Sequence, residues 1–498
     1  SLEPRAGYRE PVIHEYYPGC FVNAVGLANP GAHAFLGAMR PFLPLHDHKP
    51  LIVSIMGVDA EEFLECALVL DPIADAFELN LSCPHVKGAG QSVGSDPAAV
   101  RSVIALLKER LNKPIIAKLS PNLGDIPGMA RLCRDAGADG LSLINTVGPG
   151  VAVDADGNPV LSNVAGGLSG AGILPVGIRA VAEAASTVDL PIIASGGITS
   201  SRDVLAYRKA GASLFAVGSA LAGMATGEIS AFFEQLIRAV DTEPHEPSPQ
   251  EPTFKQPRTS YFKTRVTDNT PFGEGLFRIR LQSGPPCEPG RFFFLRLPGV
   301  GEKPFSPADD LEPLYLVRTV GPFTRALAEL RPGDAIYMRG PYGRGFPEPA
   351  GTRGLILLGG GTGAAPVMMA ASRWGQAVAR VFLGFSAPVK DWFQEEIRSV
   401  AAQARIVIDE PDRVGQVVES LAADLKANAD LYREARVFIC GPDPMMRAAT
   451  KILEPIVPRE QIFIAREDLM RCGIGLCGSC ATGTGLRSCV DGPVMNPE

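Results

Sequence analysis

The sequence predicts a multidomain chain of the α/β and β classes: a (β/α)8-type TIM barrel, an antiparallel β-barrel, a Rossmann-like α/β domain and a short cysteine-rich domain. Three observations carry this. Between residues 50 and 222, apolar strand-like runs alternate with amphipathic helical stretches; residues 241–259 hold five prolines and almost no apolar periodicity; and four of the ten cysteines crowd into residues 472–489. Length agrees, because 498 residues exceed one compact core when a domain takes roughly 100–200 residues.

The strand-like runs are residues 51–55, 76–81, 114–119, 140–145, 191–195 and 214–217. Their apolar, β-branched character suits parallel strands covered on both faces, and each ends in a polar or glycine-rich segment, where such a barrel places its chemistry. The proline-rich stretch 241–259 reads as a semi-rigid linker, so the first domain is placed at 1–240. Residues 260–348 show short alternating strands with turns such as Arg331-Pro-Gly-Asp334, as expected of a small antiparallel barrel. An α/β pattern returns over 349–460, and 461–498 carries the cysteines.

Composition narrows the function classes. With 46% hydrophobic and 20% charged residues, a formal net charge of −7 and no basic tract, a nucleic-acid partner is not expected. No apolar run approaches the ~20 residues that span a bilayer, and residues 1–20 lack the order of a signal peptide, so a cytoplasmic location without membrane attachment is expected. Cys20, Cys66, Cys83, Cys133, Cys287 and Cys440 are scattered, which suits isolated thiols rather than a disulfide framework.

The strongest motif is Cys472-x4-Cys477-x2-Cys480-x8-Cys489. Its first three cysteines keep plant-ferredoxin spacing and the fourth completes the ligand set of a 2Fe-2S cluster. Gly473, Gly475 and Gly478 permit the backbone to approach sulfides closely. A zinc site or free thiols are the alternatives, although zinc ribbons usually show two short C-x2-C pairs.

Gly359, Gly360, Gly361, Thr362 and Gly363 follow the run 355–358, where a helix start could receive a pyrophosphate; a turn built for packing is the alternative. Lys303, Pro304, Phe305 and Ser306 precede them, and Cys440, Gly441 and Pro442 end a later strand. Together with the cysteine tail, residues 260–498 resemble the ferredoxin-reductase superfamily, specifically the electron-transfer subunit of NAD-dependent (class 1B) dihydroorotate dehydrogenases. The resemblance implies that residues 303–306 with Leu316, Val317 and Arg318 hold FAD, with Gly321 and Thr324 near its phosphates. It also implies that residues 359–363 and 440–442 frame NAD. Lys303 stands where that family usually has Arg, which offers a point charge in place of a fork and implies looser FAD binding. Asp409 and Glu410, after the run 405–408, would repel a 2′-phosphate and favour NADH over NADPH; a solvated loop is the alternative.

In the first domain, Asn80-Leu-Ser-Cys83-Pro-His85 ends a strand and leads into a glycine-bearing loop able to close over a substrate. Alone, Cys83 reads as a packed thiol. Its setting changes this: Asn23, Ala24, Val25, Gly26 and Leu27, then Asn80 to Cys83, Lys118, Asn145 and Thr146, Gly166 to Gly170, Gly196 and Gly197, and Gly218 and Ser219 follow the order of class 1 dihydroorotate dehydrogenases. This resemblance covers residues 1–235. It implies that residues 23–27, Asn80, Asn145 and Thr146 bind dihydroorotate or orotate, that Lys118, Ile144 and Gly170 contact FMN, and that Ser54 lies near the flavin. Two glycine-bearing loops after the last two strands independently suit a barrel phosphate site. Cys83 would take the proton α to the ring carbonyl while the adjacent carbon gives hydride to FMN, electrons passing through the 2Fe-2S cluster to FAD and NAD+. A homodimer through the barrel is also implied.

Two departures stand out. His85 stands where the family has a substrate-contacting Asn; a His there resembles the related dihydropyrimidine dehydrogenases, whose substrates lack the carboxylate, and a His that keeps one hydrogen bond at the site is the alternative. The family's barrel also begins with two strands ahead of the stretch matched by residues 2–5, so the barrel is expected to be amino-terminally truncated. The competing readings are a dihydropyrimidine-type reductase and an electron-transfer flavoprotein with an inactive barrel.

Overall fold

The computed structural model describes residues 1–45, 49–81, 93–241, 259–309, 312–349, 354–410 and 415–497. These fall into two units, one drawn from residues 1–222 and 227–256, the other from 223–226 and 257–498. Most of the linker, residues 242–258, lies outside the described residues, as do Cys83 and His85.

In the first unit, six parallel strands run in the order Leu214–Ala216, Ile192–Ser195, Gly140–Leu143, Ile115–Leu119, Ala76–Asn80, Ile52–Ile55. They coincide with the six predicted runs. Buried residues such as Ile115, Ala117, Leu119, Leu141 and Ile192 form the sheet, and helices Ala60–Leu70, Pro97–Arg110, Ile126–Asp135, Leu174–Ala185 and Ser201–Lys209 pack into the same core. Asp59, Asp96 and Asp125 each accept an amide hydrogen bond at a helix start, which satisfies donors the helix itself cannot. Each fully buried Leu, Ile or Phe contributes roughly 1.5–3 kcal/mol. Ile52 and Leu214, on the two outer strands, remain 41% and 53% exposed.

A second, antiparallel sheet was not anticipated: Ile13–Tyr17, Cys20–Asn23, Gly166–Gly170 and Val147–Gly150, in that order. The turn Pro18-Gly19 joins the first two strands, with Gly19 left-handed at φ 73° and its amide donating to Glu15 Oε1 at 2.8 Å. Strand Gly166–Gly170 exists because its glycines let it lie against Cys20–Asn23; a Cβ at Gly170 would sit 1.9 Å from the Gly19 carbonyl oxygen.

The second unit holds two six-stranded sheets. The first is antiparallel, in the order Gly301–Phe305, Phe292–Leu297, Ala335–Tyr342, Phe262–Gly273, Leu276–Leu281, Leu314–Arg318. Its two ends meet where Ala308 N donates to Leu314 O at 2.6 Å and the rings of Phe305 and Tyr315 lie 6.5 Å apart, so the sheet curls as a small barrel. The second runs Ala404–Ile408, Val378–Phe385, Gly354–Gly360, Ala435–Cys440, Ile462–Ala465, Val494–Met495, parallel except for its last strand. This sheet passes the expected boundary at residue 461, because backbone pairing continues through Ile462–Ala465 and returns at Val494–Met495.

Candidate active site

The parallel sheet of the first unit lines up polar groups at the carboxyl ends of neighbouring strands. Ser54 Oγ donates to Glu78 Oε1 at 2.9 Å, and Lys118 Nζ reaches the same oxygen at 3.1 Å. Ser54 and Glu78 are register partners, as are Asn80 and Lys118. Next to them Asn145 Nδ2 donates to Asn80 Oδ1 at 3.1 Å, while Asn145 Oδ1 accepts from Thr146 N at 2.8 Å. Thr146 lies against Gly167, whose Cβ would meet its hydroxyl at 2.1 Å, and Asn23 Nδ2 donates to Gly167 O at 3.2 Å. Three predicted groups, Asn23, Asn80 and the Asn145–Thr146 pair, are therefore joined in one chain of contacts. Ala24 N and Val25 O bond to Val12 and Tyr8, and the backbone turns left-handed at Gly26 and Leu27, φ 74° and 57°.

On the same side, Gly196 and Gly197 are left-handed at φ 110° and 79°, and a Cβ on Gly196 would press on Ile144 at 3.0 Å. Nothing lies within 4 Å of a Cβ built on Gly218, so the turn before Ser219 opens onto free space. Glycines in such conformations leave backbone room for a phosphate. Tyr207, fully buried, donates to Gly196 O at 2.7 Å and to Ser195 O at 3.1 Å. Burial pushes its phenol pKa up, so it stays a donor. Glu78 and Tyr207 escaped sequence reasoning. For Glu78 a signal existed, a carboxylate two residues before Asn80 in a buried strand; Tyr207 gave none, being one apolar position of a helix.

In the second unit, the parallel sheet changes direction of growth between Gly354–Gly360 and Ala435–Cys440, the point at which open α/β sheets bind ligands. Residues 359–363 and 440–442 meet there: a Cβ on Gly363 would lie 2.4 Å from Cys440 O, and one on Gly360 2.5 Å from Met445 Sδ. Burial holds the Cys440 thiol protonated. The Asp409 carboxylate accepts from Gly415 N and Gln416 N, both at 3.0 Å, at the start of helix Gln416–Ala427; Glu410 is exposed.

Lys303, Pro304 and Phe305 lie on one end strand of the antiparallel barrel, with Ser306 just beyond it, and Leu316, Val317 and Arg318 lie on the other. The side chains of Leu316 and Val317 are buried, whereas Arg318 is exposed. The Thr324 hydroxyl accepts from Val320 N and Gly321 N at 2.9 and 3.0 Å, shaping the turn that carries Gly321.

The four cysteines converge. The Cys472 thiol lies within hydrogen-bonding reach of those of Cys477 and Cys489, as does Cys480 with Cys489. Bonds from Cys477 and Cys489 hold Cys472 low in pKa. Ile474 N points at Cys472 Sγ (3.5 Å) and Gly475 N at Cys489 Sγ (3.3 Å), with Gly473, Gly475 and Gly478 left-handed at 79°, 73° and 71°. Amides aimed at sulfur are what an anionic cluster requires. Among the described residues no group of three or more His, Cys, Asp or Glu side chains is placed to hold a metal ion. Arg487 Nη1 donates to Gly475 O at 2.9 Å and Arg487 Nη2 to Met224 O at 2.6 Å; Asp491 accepts from Thr226 N and Oγ1 at 2.7 Å, so the segment Gly223–Thr226 of this unit is tied to the cysteine loop.

A family profile described as dihydroorotate dehydrogenase matches residues 1–237, and one described as the iron-sulfur cluster binding domain of dihydroorotate dehydrogenase B matches residues 467–498. The chain is 48% identical over 220 residues to the dihydroorotate dehydrogenase B (NAD(+)) catalytic subunit of Pyrococcus horikoshii, covering 44% of this chain and 71% of that protein. The same-named subunits of Pyrococcus abyssi and Geobacter sp. are 47% and 46% identical over 222 and 223 residues, again 44% of this chain and 73% and 72% of theirs. The dihydroorotate dehydrogenase match implies a TIM-barrel-like α/β fold for the first unit. No helix among the described residues is long and apolar enough to cross a membrane.

Proposed function

Since the chain belongs to the dihydroorotate dehydrogenase B family, an oxidoreductase family, we propose that it oxidises (S)-dihydroorotate to orotate with NAD+, its catalytic and electron-transfer parts joined in one polypeptide. One observation carries the substrate reading: the contact chain Asn80, Asn145, Thr146, Gly167 and Asn23 beside the Glu78–Lys118 pair. Asn side chains offer both a donor and an acceptor, which matches a ring bearing alternating N–H and C=O groups. With residues 24–27 they would bind the ring and its carboxylate. Cys83, three positions after Asn80, would remove the proton α to the ring carbonyl.

Ser54, Asn80, Lys118, Ile144, Gly170, Gly196, Gly197, Gly218 and Ser219 would hold FMN, the last four at its phosphate. Residues 303–306 and 316–318, with Gly321 and Thr324, would hold FAD, and residues 359–363 and 440–442 NAD. Cys472, Cys477, Cys480 and Cys489 would ligate a 2Fe-2S cluster. When bound, these groups would supply hydride acceptance at FMN and single-electron relay through the cluster and FAD to NAD+. A cytoplasmic place in pyrimidine synthesis and pairing through the barrel unit belong to the same reading.

The test is to supply purified chain with NAD+ and either dihydroorotate or dihydrouracil, following orotate and NADH. Orotate and NADH in equal amounts, slowed at least ~100-fold by Cys83→Ser, support the proposal. Turnover of dihydrouracil alone would favour the reductase reading that His85 suggests. Ferricyanide reduction by NADH without turnover of either substrate would favour a purely electron-transferring protein.

A further inference from the structure

The antiparallel barrel contains an ion pair with no exposed side-chain surface, Arg339 with Glu302. Nε and Nη2 of Arg339 reach the two oxygens of Glu302 at 3.0 and 2.6 Å, and Tyr261 donates to the same carboxylate at 2.5 Å. The rest of the guanidinium points elsewhere. Nη1 donates to Cys472 O at 2.8 Å and to the Tyr342 hydroxyl at 3.1 Å, and Nη2 to Arg471 O at 3.5 Å. All five N–H groups of a guanidinium are thereby used, two of them on the peptide carbonyls at the first cysteine. The guanidinium also lies 4.0 Å from the centre of the Phe294 ring. Phe294 and Tyr342 in turn form the floor under Gly473, where a Cβ would come within 3.0 and 3.2 Å of their rings.

A buried ion pair gains little stability over apolar packing of the same volume, since desolvation offsets the attraction. Its value here lies in direction. The carboxylate fixes the fork, and the fork fixes two carbonyls of another segment. We infer that Arg339, oriented by Glu302, is a positioning residue for the cysteine centre: the antiparallel barrel holds the peptide groups flanking Cys472 so that its sulfur is presented together with those of Cys477, Cys480 and Cys489. The inference rests on the proposed cluster.

Lysine would keep the charge beside Glu302 yet offer only one nitrogen, and the double variant R339M/E302Q removes the pair without stranding a charge. For parent, R339K and R339M/E302Q, iron, acid-labile sulfide and FAD are measured per chain, with the rate of visible-absorbance loss to EDTA and the electron paramagnetic resonance spectrum after dithionite reduction. The expected result is FAD retained in both variants, cluster loss to EDTA faster by about tenfold or more, and a changed resonance spectrum, as losing two carbonyl bonds implies. A parental rate and spectrum in either variant would overturn the inference, and so would loss of FAD in step with iron in R339K, which would mark Arg339 as a general core residue. A parent without iron would instead overturn the cluster reading itself.

Discussion

Tyr207→Phe removes one hydroxyl from beneath the Gly196-Gly197 turn. In the parent that hydroxyl donates to Gly196 O at 2.7 Å and Ser195 O at 3.1 Å, and room for it exists because position 177 is glycine, where a Cβ would lie 1.9 Å from the oxygen. The two carbonyls do not lose equally. Ser195 O keeps the Ile144 amide at 2.9 Å, whereas Gly196 O gives up its short bond. One hydrogen bond and one undersatisfied buried carbonyl cost about 1–2 kcal/mol. Gly196 and Gly197 are both left-handed, so the loss falls on a loop with many alternative backbone states. If that loop cradles the FMN phosphate, affinity should fall by about 5–30-fold. Fluorescence titration of flavin-stripped protein with FMN measures it directly, with riboflavin as a control that lacks the phosphate. FMN affinity within twofold of parent, alongside a lower unfolding temperature, would refute the argument and leave Tyr207 as a prop of its helix alone.

Glu78→Gln should weaken the bond to Lys118 by roughly 1 kcal/mol, giving about fivefold slower orotate formation with FMN retained, read by product assay and the flavin absorbance spectrum. Gly363→Ala drives a Cβ to 2.4 Å from Cys440 O and must part the two segments proposed to frame NAD; ferricyanide reduction should show KM for NADH raised about tenfold or more at unchanged FAD content. Cys480→Ser should abolish most bound iron by metal analysis while FAD stays near parental levels, because the residues proposed to hold FAD lie on a separate sheet.

The six parallel strands were legible because each is a short apolar, β-branched run closed by a polar or glycine-rich turn, a signal that lives within a few residues. The hairpin Ile13–Tyr17 and Cys20–Asn23 could have been read from its Pro18-Gly19 turn. Strand Gly166–Gly170 could not: three glycines in five residues look like a loop, and only pairing with Cys20–Asn23, 144 to 150 residues away, makes them a strand. The site divides the same way. Asn80, Asn145 and Thr146 were proposed from the family resemblance of their motifs, whereas Glu78, Tyr207 and Arg339 make their contacts with partners distant in sequence. The two amide bonds that Asp409 accepts from Gly415 and Gln416 were likewise not legible, because they depend on how the loop returns to the helix start.

The pairing of Val494–Met495 with Ile462–Ala465 bears on how the protein is made. Every cysteine of the centre lies between these two strands in the sequence, and the closing strand is synthesised after the last of them. On the ribosome the nucleotide sheet can form through its parallel strands first, but the loop is pinned at both ends only once residue 495 has emerged. If the four cysteines hold the proposed cluster, its iron would be taken up into a loop pinned at both ends only late in synthesis.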